Sequence, residues 1–142
     1  MERRDLIRLG LTGVVAGAVL PQRLLAGEAP ADMAGGVYYT AETPGRWSGK
    51  AGSHQPNLEK QVGPDGSVVV TVTTNHDQHG YVHYIVKHQL LDGDYRFIAE
   101  TMFDPNKDEP ESSYTLPPGY KGMVYALSLC NKHDLWLNGM EV

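Results

Sequence analysis

The side chains with the most chemistry to offer are one thiol and several imidazoles. Cys130-Asn131-Lys132-His133 is a Cys-x-x-His at the end of a strand-like run, a spacing that lets a thiolate and an imidazole converge on one ion from a tight turn. Upstream, Asn75-His76-Asp77-Gln78-His79-Gly80-Tyr81-Val82-His83-Tyr84-Ile85 places two histidines in a loop and a third at the start of the next strand. His54 stands beside Pro56 at the entrance to the expected core. One thiolate with several neutral imidazoles suits zinc, copper or iron, whereas calcium and magnesium take oxygen ligands. Four histidines joined to the cysteine would exceed the closed four-ligand shell of structural zinc and favour iron with a vacant position. The plainer alternatives are a lone cysteine packed as a small hydrophobe and isolated histidines, such as His54, at the surface or in a hydrogen bond.

Strands are the elements expected to position these groups. Ser67 to Thr74 is β-branched almost throughout and follows the turn Gly63-Pro64-Asp65-Gly66. Further strands are expected at His83 to Leu91, Tyr95 to Phe103 and Met123 to Leu129, with Asp92-Gly93 as a hairpin signal. Alternation along a strand beginning at His83 turns His88 to the opposite face and away from the ion. Asp104 to Gly119 carries four prolines and an acidic cluster and reads as an exposed crossing loop. No helical period outweighs these strand patterns. The expected fold is all-β, an immunoglobulin-like antiparallel β-sandwich.

The chain has 142 residues, one domain's length, with 16 glycines and 9 prolines. A single cysteine rules out an intramolecular disulfide. A net charge of -5, with no basic run, argues against a nucleic-acid partner. Residues 1–26 read as a signal peptide of twin-arginine type: Arg3 and Arg4 precede an apolar stretch from Leu9 to Leu20, too short and Gly-rich for a stable membrane span. Cleavage after Ala26 or Ala31 would release the domain to the periplasm. Removing residues 1–26 takes four arginines and two acidic groups, leaving -7. Residues 27–53 read as a linker or N-terminal arm with at most one short strand at Val37 to Thr40, and residues 54–142 as the metal-binding sandwich.

Together these motifs resemble the superoxide reductase family, the iron-binding domain also found in desulfoferrodoxin and neelaredoxin. Leu127-Ser128-Leu129-Cys130-Asn131-Lys132-His133-Asp134-Leu135-Trp136 is similar to that family's terminal Cys-Asn-x-His-Gly-Leu-Trp, His83-Tyr84-Ile85 to its His-Tyr-Ile, and Ser53-His54-Gln55-Pro56 to its Lys-His-Val-Pro. The resemblance implies a mononuclear non-haem iron with His54, His76, His83 and His133 equatorial, Cys130 axial and a sixth position open. It further implies reduction of superoxide to hydrogen peroxide, with electrons from an external donor protein because the chain has one cysteine and lacks the Cys-rich iron domain of desulfoferrodoxin. Three departures accompany it. The His76 to His83 loop is one residue longer than usual, making His79 a rival ligand. Gly52 and Ser53 stand where the family carries Glu-Lys, with Lys50 the nearest cation, and Asp134 replaces a glycine. The alternatives are a non-catalytic periplasmic iron-binding or sulfur-carrier-like module, and a zinc or copper protein. The sequence leaves a homo-oligomer open.

Overall fold

Hydrophobic alternation builds the sandwich. In Val68–Thr73 the residues Val68, Val70 and Val72 are buried while the intervening ones are less so, and Met123–Cys130 buries Val124, Ala126, Ser128 and Cys130 in the same rhythm. Each period-2 pattern gives a strand one face that must find a partner sheet. The computed structural model describes residues Met33–Val142. The expected signal peptide and both candidate cleavage sites lie outside the described residues.

Among the described residues seven strands form: β1 (Asn57–Val62), β2 (Val68–Thr73), β3 (Ile85–Asp92), β4 (Phe97–Met102), β5 (Glu111–Leu116), β6 (Met123–Cys130) and β7 (Asp134–Glu141). A single turn of helix, α1 (Ala51–His54), and 3-10 turns at Gly45–Trp47 and Gly80–Val82 complete the described elements. Every strand pairing is antiparallel, in sheets ordered β1-β2-β5 and β4-β3-β6-β7. This is the immunoglobulin-like β-sandwich expected from the sequence. Val68, Val70 and Val72 of one sheet meet Leu90, Val124 and Ala126 of the other, joined by Tyr114 and Leu116. Each such aliphatic side chain, fully buried, contributes about 1.5–3 kcal/mol relative to exposure. In the turn before β2, Gly66 adopts a φ of 80° while Asp65 Oδ1 accepts from Ser67 N and Ser67 Oγ.

Two readings need correction. Asp104 to Gly119 is not one exposed loop, because it contains β5, whose Ser112, Tyr114 and Leu116 are buried against the core. Polar Ser112 takes an inward position, so only Tyr114 and Leu116 carry the hydrophobic period. The parity argument for His88 also fails. A register shift between Ile85 and Lys87 puts Ile85 and His88 both inside, as a β-bulge does. β1 and β7 were not expected either.

The segment before β1 meets β7 at Tyr39 and again at Arg46 and Trp47. Tyr39 N donates to Leu135 O and Leu137 N to Tyr39 O, each at 2.9 Å, an isolated parallel bridge on the outer edge of β7. Tyr39 is buried with its ring 5.8 Å from that of Trp136. Among the described residues no helix is long and apolar enough to cross a membrane.

His88 anchors a polar knot between the sheets. Its Nε2 lies 2.9 Å from Thr74 Oγ1 and its Nδ1 2.9 Å from Ser112 Oγ, while Thr74 Oγ1 also reaches Ser128 Oγ at 2.9 Å. All four residues are buried. Such a network is tolerable because every ring nitrogen has a partner. Burial lowers the His88 pKa from 6.5 to about 4. The neutral ring therefore stabilises the fold fully above pH 6.5. Between 6.5 and 4 the unfolded chain binds the proton and the native chain does not, so stability falls with pH by about 3 kcal/mol in total. The stability advantage of the native protein over His88→Gln, measured by urea unfolding, is expected to shrink across that window. An advantage independent of pH would contradict this account.

Candidate metal centre

The five sequence-selected side chains all belong to one end of the sandwich. His54 closes α1 just before β1. His76 lies in the loop after β2, His83 immediately precedes β3, Cys130 ends β6 and His133 sits in the β6–β7 turn. Antiparallel pairing brings these points together, since Asn57 pairs with Thr73 and Ile85 with Cys130.

Four imidazoles form a square. Adjacent ring centroids are 4.9 Å apart for His54 and His76, 4.5 Å for His76 and His83, 4.9 Å for His83 and His133, and 4.6 Å for His133 and His54. Neighbours meet edge to face, whereas the diagonal pair His54 and His83 is nearly parallel at 6.0 Å. His83 Nε2 lies 3.1 Å from both His76 Nε2 and His133 Nδ1. Cys130 Sγ is 3.6 Å from His133 Nδ1 and accepts from Lys132 N at 3.4 Å. One donor atom from each of His54, His83, Cys130 and His133 lies within 4.8 Å of every other. His76 joins through its contact with His83.

Side-chain clamps hold this shape. His54 Nδ1 donates to Lys50 O at 3.0 Å, which leaves Nε2 as the nitrogen with the free lone pair. Gln78 Oε1 accepts from Ile85 N while its Nε2 donates to Ile85 O, pinning the His76 to His83 loop. Asn131 accepts from Tyr84 N and donates to Val82 O, fastening the β6–β7 turn to the same loop. Trp136 Nε1 donates to His133 O at 2.8 Å. Gln78 stood inside the histidine-rich run, yet its type gave no sign of a clamp. Trp47, whose ring meets His133 edge-on at 4.7 Å, carried no sequence signal at all. The rival His79 is exposed. Its backbone N donates to His83 O and its ring stacks 6.0 Å from that of His83, outside the square. His88 belongs to the core knot and not to this centre.

Electrostatics prepare the set for a cation. Burial is the largest cause lowering His54 and His83 to about 4, and it lowers His76 and His133 as well. The rings are therefore neutral at pH 7, with lone pairs available. Burial pushes the Cys130 thiol up, against backbone hydrogen bonds from Lys132 and His133. His54 Nε2, the ring nitrogen that Lys50 leaves free, is buried with no hydrogen-bond partner. An orphaned buried nitrogen is unfavourable by about 1–3 kcal/mol unless something binds it. A transition metal with bonds near 2.1 Å to nitrogen sets adjacent ligands about 3 Å apart, as the 3.1 Å spacings here require. The donor set fits such an ion.

Comparison with known proteins agrees. The protein-family model described as Desulfoferrodoxin matches residues 46–139. The chain belongs to the desulfoferrodoxin family. Among solved structures, the superoxide reductase (neelaredoxin) from Ignicoccus hospitalis is 26% identical, with a TM-score of 0.63 over 75% of this chain and 94% of that one. A superoxide reductase crystallised in the oxidised state is also 26% identical, with a TM-score of 0.53 over 63% and 87%. The superoxide reductase from Nanoarchaeum equitans, 20% identical with a TM-score of 0.56 over 63% and 93%, shares the fold. A search of curated proteins gives no significant match. The family match spans all four histidines of the square and the thiol, together with Trp47 and the clamps.

Because the rings are neutral and the thiol protonated at pH 7, metal uptake by the apoprotein is expected to release about one proton, from Cys130. Affinity should then rise with pH until the free thiol ionises. Anaerobic calorimetry of cobalt(II) binding in buffers of different ionisation enthalpy measures this proton count. Cys130→Ser should release none, and equal release from both proteins would exclude the thiol as the source.

Proposed function

We propose that this protein is a superoxide reductase that holds one non-haem iron with His54, His76, His83, His133 and Cys130 and converts superoxide to hydrogen peroxide. What carries the reading is the square of neutral imidazoles with a buried thiol against it, in a chain of the desulfoferrodoxin family. Iron bound there supplies a one-electron reductant whose donating power a thiolate ligand increases.

The protein's own residues do the rest. Cys130 projects from the inward face of β6 beside Ile85 and Phe103, so the sulfur is kept from water on the core side. His54 and His76 are buried while His83 and His133 are half-buried, which leaves the centre at the rim of the sandwich and within reach of a diatomic anion. An acidic chain repels such an anion at long range. Locally the field is opposite: after burial, the positive charges of Lys50 and Lys132 are the largest influences lowering the His133 pKa. These lysines are the cations nearest to hand for drawing the anion in. Superoxide takes up one electron and two protons to become hydrogen peroxide, and an external donor protein restores the electron.

The test is a pulse of superoxide delivered to anaerobically iron-loaded protein. One hydrogen peroxide is expected per superoxide consumed, without dioxygen. Cys130→Ser should lose the visible thiolate-to-iron absorption and at least about a hundredfold in rate, more than the loss of an outer residue brings. Dioxygen formed alongside peroxide, or full colour in Cys130→Ser, would overturn the proposal.

The reading includes export, and here the support is residues 1–26 alone. Arg3→Lys combined with Arg4→Lys should keep the protein in the cytoplasm, seen by fractionation. Unchanged export of that double variant would remove the twin-arginine reading.

A further inference from the structure

One residue joins the two loops that carry the first and last ligands of the proposed centre. Asp134, directly after His133, has a φ of 62°, a left-handed backbone unusual outside glycine. The carboxylate that this conformation presents is shared. Asp134 Oδ2 accepts from Arg46 Nη2 and, at 2.8 Å, from Trp47 Nε1. The Arg46 guanidinium lies 4.7 Å from the Trp47 ring centroid, and the same ring meets His133 edge-on at 4.7 Å and 86°. Three residues beyond Trp47, Lys50 O accepts from His54 Nδ1. A continuous path of contacts therefore runs from Asp134 through Trp47 to His133, and along the backbone from Trp47 to His54.

The ion pair itself is exposed on both sides, and such pairs contribute little to stability. Geometry gives the cluster its significance. An indole whose N–H is fixed by a carboxylate has one orientation, and here that orientation sets its edge against an imidazole of the square. Arg46 fixes the indole from its face.

We infer that Asp134 is a positioning residue that latches Trp47 and the arm carrying His54 against His133, and so slows escape of the metal. This rests on the metal centre proposed above. Residues of this kind, outside the ligands but orienting them, change metal affinity by about 10–100-fold when removed.

The experiment measures cobalt(II) release from the full chain to a chelator, together with the thiolate-to-cobalt absorption band. Asp134→Gly keeps the left-handed backbone and deletes only the carboxylate; release is expected to be about tenfold faster, with a shifted band. Asp134→Asn retains an acceptor for Trp47 Nε1 and should recover part of both, and it carries the test should Asp134→Gly not fold. Trp47→Leu should match Asp134→Gly, and the double variant should release metal no faster than either single one, as for groups acting as a unit. Wild-type release and band in Asp134→Gly, or effects of the two variants that multiply, would overturn the latch. Cys130→Ser separates the two levels: a thiolate-type band that survives in it refutes the centre, whereas its loss beside an unaffected Asp134→Gly refutes the latch alone.

Discussion

The constraint on which this structure depends is the gathering of unpaired nitrogen lone pairs at the end of a β-sandwich. Four imidazoles cannot satisfy one another by hydrogen bonding, because a neutral ring offers one donor, and His54 has already committed its own to Lys50 O. His54 Nε2 remains buried without a partner. Protonation is no remedy, since burial and mutual repulsion hold His54 and His83 near 4. A cation shared by His54 Nε2, His76 Nε2, His83 Nε2 and His133 Nδ1 satisfies the lone pairs gathered there. The metal is thus expected to add to fold stability as well as to chemistry.

The same fold handles another buried histidine in the opposite way. His88 has a hydroxyl on each ring nitrogen, so it needs no ion and ties β3 to β5 and to the end of β2. Thr74 belongs to that knot, and its own backbone N donates to Pro110 O. His76 follows two residues later, with its N donating to Thr74 O. The ligand loop therefore springs from a fixed point inside the core. Rigid elements under the site are what keep donor atoms within the few tenths of an ångström that coordination demands.

What the sequence disclosed follows from how local each signal was. The β-branched run of β2 and the Cys-x-x-His turn are short-range patterns, and both appear where expected. β5 escaped notice because serine and threonine stand where a hydrophobic alternation would have been visible, and only Tyr114 and Leu116 mark its inner face. The exclusion of His88 reached the right residue by an argument that the bulge after Ile85 invalidates. The choice between His76 and His79 was not decidable from spacing. Gln78 clamps both polar groups of Ile85, and the loop so held turns His76 inward and leaves His79 at the surface. Trp47 and Asp134 meet across 87 positions of sequence, a distance over which no motif carries information.

Two features of this sequence, the uncharged pair before His54 and the carboxylate after His133, meet at one place. Just before His54 stands the uncharged pair Gly52-Ser53, and the cations near the centre are Lys50, four residues before His54, and Lys132 in the β6–β7 turn. Asp134 does not add an unpaired negative charge beside the entrance, because Arg46 faces it and holds its carboxyl below the usual range. Near His133 the two lysines outweigh the opposing charge of Asp134, in a chain that is acidic as a whole. An acidic protein can still attract an anion to one spot when a carboxylate beside that spot is paired with an arginine and lysines flank it.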